Sequence, residues 1–268
     1  SMPANLADEL KDRQQFLDLL RYVMDLKERG PEIAAEPSAS VTRELAPELH
    51  GLVHIQQWNC TACHRVNEVG VNIAAKQSPN LNWSARHLNP AWMAQFIRDP
   101  HTVKPGTTMP TILSPKTVDS TQAATAITHY LVSKGGNQFA PQAVDPNATQ
   151  SGYELFHSVG CVACHNPRDR TAVERPLGDS QALGDLSTKY NVAGLVEFLE
   201  DPLLVRASGH MPNMRLTHRE AIDIANFLLQ AAPEVTAPWN LDPDLAQAGR
   251  LLFLENNCHQ CHQNFLHD

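Results

Sequence analysis

Apolar positions along this chain recur mostly at three- and four-residue intervals, the spacing that lines one face of a helix. In residues 5–27, Leu6, Leu10, Leu17, Leu20 and Met24 fall on one stripe. The same reading predicts helices over 47–58, 90–98, 118–133, 150–159, 192–200 and 217–230, with a further one at 244–256. The links at 135–149 and 231–243 are rich in Pro, Gly, Ala and Asn and read as connections. The expected fold class is all-α.

The predicted helices form a repeat. Gly51, Gly152 and Gly249 each stand nine residues before a cysteine, and Ile55, Phe156 and Phe253 stand five before it. Segments 47–58, 148–159 and 244–256 are thus three versions of one short helix. Pro90–Pro100 matches Val192–Pro202, with Phe96 paired to Phe198 and a proline ending each helix. Nine residues past each proline comes Met-Pro, at Met109-Pro110 and Met211-Pro212. Each repeat closes on a helix carrying an aromatic-Leu pair, Tyr130-Leu131 and Phe227-Leu228.

The chain ends are the two halves of such a repeat. Residues 244–268 have the first helix but no Met-Pro and no closing helix, whereas 1–29 have Met2-Pro3 and a helix whose Tyr22 lies 20 residues on, against 21 from Met109 to Tyr130. The expected organisation is therefore a C-terminal half at 1–29, a linker at 30–43, one whole unit at 44–135, a linker at 136–149, a second unit at 150–231, a linker at 232–243, and an N-terminal half at 244–268. The complementarity of the halves predicts that 1–29 pack against 244–268, within one molecule or between two.

The chemistry lies in Cys60-Thr-Ala-Cys63-His64, Cys161-Val-Ala-Cys164-His165 and Cys258-His-Gln-Cys261-His262. Spaced by 101 and 97 residues, they take up all 6 cysteines. Cys-x-x-Cys-His is the attachment site of c-type haem: the thiols add across the vinyl groups and the adjacent His ligates the iron. Disulfides are one alternative reading, although a His after each pair argues against it. A structural zinc site is another, but each unit lacks the further ligands it needs.

Haem iron takes two axial ligands, and a Met thioether opposite His stabilises ferrous iron. Met109 and Met211 sit at the same repeat position, outside any helical stripe, and Pro holds the residue before it extended, as a ligand loop needs. The expected pairs are His64 with Met109 and His165 with Met211. Split-unit packing would add His262 with Met2; water, His259, His267 or a neighbouring chain are the other candidates for the third iron. Met24, Met93 and Met214 read as core or surface, with Met214 in reserve for the second iron. A carbonyl near Pro79 is placed to orient His64, and Lys104 and Arg206, five residues before each Met, read either as partners for haem propionates or as solvated cations. His50, His54, His87, His101, His129, His157, His210 and His218 read as solvated or capping.

These residues resemble class I c-type cytochromes: Gly51 and Ile55, Cys60-x-x-Cys63-His64, Pro79-Asn80-Leu81, Met109-Pro110 and Tyr130, repeated as Gly152, Phe156, Cys161-x-x-Cys164-His165, Met211-Pro212 and Phe227. The resemblance covers most of 44–231. It implies tandem cytochrome c modules, two complete and one split or truncated, whose first and last helices cross where glycine and aromatic residues meet. The second module lacks the proline, having Gly184, so its His partner is open. Residues 1–29 also resemble the end of haem-binding modules in large exported bacterial proteins.

The implied function is electron transfer between redox partner proteins, a dehydrogenase, an oxidase or another cytochrome, through covalent His/Met haem c. The alternative is a dihaem-peroxidase-like enzyme using the third haem, if that iron has an open axial site. Charge sharpens the partner choice. The formal net charge of −8 makes nucleic acid an improbable partner and a basic or mixed-charge protein a fitting one. No apolar run is long enough to span a membrane. Because haem attachment of this kind takes place outside the cytoplasm, a periplasmic or otherwise exported location is expected, with any leader removed.

Overall fold

The computed structural model describes residues 51–52, 54–55, 61, 77–113, 119–136, 139, 143–178, 180–230, 239–262 and 265. Among them there is no β-sheet, only isolated bridges such as Leu88 with Tyr190. Ten α-helices are placed among these residues: α1 Leu81–His87, α2 Pro90–Arg98, α3 Pro100–Val103, α4 Ser120–Gly135, α5 Pro146–Ser158, α6 Val192–Glu200, α7 Pro202–Val205, α8 His218–Leu229, α9 Pro243–Glu255 and α10 Cys258–Cys261. No helix of the described residues is long and apolar enough to cross a membrane.

Local chemistry sets the helix starts. Asp145 and Asp242 accept backbone N–H bonds from the first turns of α5 and α9, each with proline at the first helical position. Thr217 and Glu220 cap α8 reciprocally. Pro100 and Pro202, expected as stops, also act as starts: Asp99 and Asp201 cap the single-turn helices α3 and α7 that begin at those prolines. The proline ring breaks the preceding hydrogen-bond ladder, yet its fixed φ suits a new first turn. Helix α1 has no counterpart in the sequence reading.

Two helix pairs carry the core. Helix α5 crosses α8 at Gly152, where a Cβ would lie 1.9 Å from the Asp223 carbonyl oxygen. Phe156 and Phe227 meet there at 5.7 Å, both fully buried. Helix α9 crosses α4 in the same way: a Cβ on Gly249 would lie 1.9 Å from the Ala126 carbonyl oxygen. Tyr130, Phe253 and Phe265 form the matching aromatic cluster, with centroids 5.5 to 5.8 Å apart. Glycine is required at both crossings because backbone rests on backbone.

The equivalence reaches the helix starts. The Asp145 amide donates to Asn226 Oδ1 at 2.7 Å, and the Asp242 amide donates to His129 Nδ1 at 3.0 Å. Asn226 and His129 each precede the crossing aromatic of their helix. His129, read as solvated or capping, is therefore buried, accepts from the helix-capping residue and lies tilted against Trp239 at 4.1 Å. Burial holds its pKa below the usual value, opposed by the Asp242 carboxylate. A group whose pKa falls on folding stabilises above its unfolded value and loses that contribution as pH drops, here below about 6.5. Acidification should thus weaken the α4–α9 contact, and His129→Asn, which mimics the Asn226 arrangement, should flatten that pH dependence in unfolding titrations.

The two helix pairs are joined by α1, α2 and α6. Glu197 accepts from Trp83 Nε1 and pairs with His87 Nε2, each at 3.1 Å. The Asn89 amide donates to the Lys189 carbonyl and the Asn80 amide to that of Val205. Leu88, Met93 and Val132 from one side share an apolar cluster with Phe156, Tyr190, Leu195 and Phe227 from the other.

Candidate haem-attachment sites

The second and third motifs fold alike. Gly160 (φ 101°) and Asn257 (φ 56°) turn the chain in the left-handed region just before the first cysteine, which glycine enters freely and asparagine tolerates. Each cysteine pair then occupies one tight turn, in which the His165 and His262 amides donate to the Cys161 and Cys258 carbonyls at 2.9 and 3.0 Å. The turn brings both thiols and the imidazole to the base of the helix crossing. None of Cys161, Cys164, Cys258 and Cys261 is in a disulfide. Burial pushes the Cys161 thiol up to about 12 and raises that of Cys258, as an apolar setting does. Among the described residues no group of three or more His, Cys, Asp and Glu side chains is placed to hold a metal ion.

Both imidazoles are held below the usual His pKa by burial. They are neutral at pH 7, the form that ligates iron. His165 Nδ1 lies 3.4 Å from the Gln181 carbonyl, which answers the question left by Gly184: the partner comes from three residues earlier. The Gln181 amide in turn donates to the Cys164 carbonyl at 2.8 Å. The Pro79 carbonyl, expected to face His64, lies beside the His262 ring and favours its protonated form. It makes no well-aligned bond to Nδ1, which is buried and unpaired.

The loop carrying Gln181 is built on an ion pair that the sequence gave no sign of. Arg168, buried, donates to Glu174 Oε1 at 3.1 Å and to the carbonyls of Ala172 and Gly184. Glu174 Oε1 also accepts from the amides of Leu183 and Gly184. Removing one partner of a buried pair leaves a bare charge. Glu174→Ala should cost about 3 kcal/mol, read as a lower urea midpoint.

Met211 is half-buried against the same apolar cluster as Cys161 and Val162, and Pro212 is buried beside it. Met109 is half-buried, its amide donating to Thr107 Oγ1 at 3.3 Å. Met93 and Met214 are core residues, 4% and 5% exposed. Cys60, Cys63, His64 and Met2 lie outside the described residues. So do residues 1–29, the expected partner of the third segment.

A cationic cluster lies where the two units meet. Lys189 is buried, with its amine over the rings of Trp92 (4.5 Å) and Tyr190 (4.7 Å), and among the described residues no carboxylate pairs with it. Arg206 stacks on Phe198 at 5.4 Å and bonds the Tyr190 hydroxyl. Burial first, then the charges of Arg206 and Lys104, holds the Lys189 pKa well below its ordinary value. Lys104 and Arg206 were foreseen as a repeated pair; Lys189 has no counterpart in the repeat and was not.

These residues fit haem c: cysteines in a Cys-x-x-Cys turn and in no disulfide, a neutral buried imidazole with a carbonyl to orient it, and a cationic cluster suited to carboxylates. No protein-family model, curated protein or solved structure matches this chain.

Proposed function

We propose that this chain is a multihaem c-type cytochrome that carries electrons between redox partner proteins outside the cytoplasm. The observation that carries the reading is the repeated placement of Cys161-x-x-Cys164-His165 and Cys258-x-x-Cys261-His262. Both occupy equivalent turns at the base of equivalent glycine–aromatic helix crossings. Cysteines 60, 63, 161, 164, 258 and 261 would hold three haems as thioethers, and His64, His165 and His262 would supply one axial nitrogen each. Haem, once bound, supplies a one-electron Fe(III)/Fe(II) couple. The protein's part is to hold that couple with little rearrangement. The Gln181 carbonyl keeps His165 Nδ1 occupied and so directs its Nε2 to the metal, and the Pro79 carbonyl lies beside the His262 ring. Met211 offers a soft sulfur that favours the ferrous state. Lys104, Lys189 and Arg206 gather positive charge at the junction, where propionate carboxylates would relieve the mutual repulsion of the cations.

Intact mass of the chain purified from cells competent for haem attachment tests the reading: three haems are expected. Reduction should give sharp low-spin α and β bands. A mass equal to the bare polypeptide would overturn the proposal.

A further inference from the structure

The third attachment motif is built onto the first unit. Resting on the haem reading above, we propose that the iron held by His262 takes Met109 as its sixth ligand. His262 and Met109 are 153 positions apart in numbering, and the simple repeat order instead joins Met109 to His64.

Several features of the structure support this pairing. In the second unit, the helix before the motif crosses the helix after the Met loop: α5 on α8, Gly152 on the Asp223 carbonyl. The helix that makes this crossing with α4, the helix following Met109, is α9, through Gly249 on the Ala126 carbonyl. Gly51, the same repeat position before the first motif, is exposed, and no described residue lies within 4 Å of its Cβ position. The aromatic position agrees, since Tyr130 of α4 packs on Phe253 and Phe265, flanking the third motif.

The start of the helix agrees too. Asp-Pro opens α5 and α9, with its Asp amide on Asn226 or His129, whereas the first segment has Glu44-Leu45 at that register. Finally, the carbonyl beside the His262 ring is that of Pro79, which belongs to the stretch leading to Met109. Leu113, four residues after Met109, is buried in the same cluster as Phe253 and Phe265, with Cys258 packed against it. The flush contact on α4 at Ala126 leaves no room there for a second first-helix. The Met109 loop is therefore committed to one motif, and the packing selects the third.

The pairing is tested by a double-mutant comparison on the full chain. Intact mass counts haems, and the Met-to-ferric-iron charge-transfer band counts Met-ligated ones. Cys258→Ser/Cys261→Ser should remove one haem and, with it, one Met-ligated centre. Adding Met109→Ala to that variant should then change nothing further. If Met109 serves His64, the cysteine variant keeps the Met109 contribution and the added Met109→Ala abolishes it, which overturns the pairing while leaving three haems in the wild type and the functional reading intact. A bare wild-type mass overturns both.

Should the cysteine variant fail to accumulate, proton NMR of the reduced wild-type chain gives the same decision. The high-field ε-methyl signal that Met109→Ala removes should connect, through its own haem, to the thioether protons of Cys258 and Cys261. Connection to Cys60 and Cys63 refutes the proposal.

Discussion

Alanine at Gly152 or at Gly249 should each destabilise the protein by about 3 kcal/mol, seen as a lower midpoint in urea unfolding. Either methyl would be driven to 1.9 Å from a carbonyl oxygen, and what it meets is helix backbone rather than a side chain able to turn away. The helices must part, and parting pulls Phe156 from Phe227 or Phe253 from Tyr130. Aromatic pairs of this kind contribute about 1 kcal/mol beyond their buried area. Gly51→Ala provides the contrast. That residue is exposed and helical, so the added methyl should be neutral or stabilising by up to ~1 kcal/mol through helix propensity. Equal losses at all three glycines would mean that the first motif's helix makes the same crossing.

If His165 and Met211 ligate a haem as proposed, Met211→Ala should open that iron to carbon monoxide and cyanide and lower its reduction potential. The haem itself should stay attached, because thioethers to Cys161 and Cys164 do not depend on the sulfur ligand. Met214→Ala separates ligation from packing. Met214 is 5% exposed, so its truncation should cost about 2–5 kcal/mol as a core cavity and leave the spectrum unchanged. An unaltered potential and spectrum in Met211→Ala would remove Met211 from the coordination sphere.

Much of this was legible in the chain because the signals are local. The period of apolar positions located α2 and α6 to the residue, and α4, α5, α8 and α9 to within a few residues, since amphipathic spacing is written in the sequence itself. The repeat singled out Gly152 and Gly249, and the resemblance to class I c-type cytochromes implied that helices cross at such glycines; the structure places a crossing at each. The Cys-x-x-Cys-His motifs were legible because their residues are contiguous, whereas the turns they form were seen only in the structure.

What failed to show in the sequence depends on pairings that no periodicity encodes. The burial of His129 and its bond from the Asp242 amide gave no sign, because Asp242 lies 113 residues away. Arg168 with Glu174, and Lys189 on Trp92, are a loop brace and a buried cation that no periodicity encodes. The partner of His165, left open by the sequence, is the Gln181 carbonyl, and a backbone acceptor needs no particular side chain to mark it.

The sequence by itself determined most of the helices, the three Cys-x-x-Cys-His motifs and the repeated glycine positions, since each follows from residue type and short-range spacing. Which first-helix meets which closing helix was decided by tertiary structure alone. Three near-copies of one helix compete for equivalent surfaces, and their choice rests on small differences, an Asp-Pro start, Phe253 with Phe265, a His129 acceptor, that have meaning only once the helices are side by side.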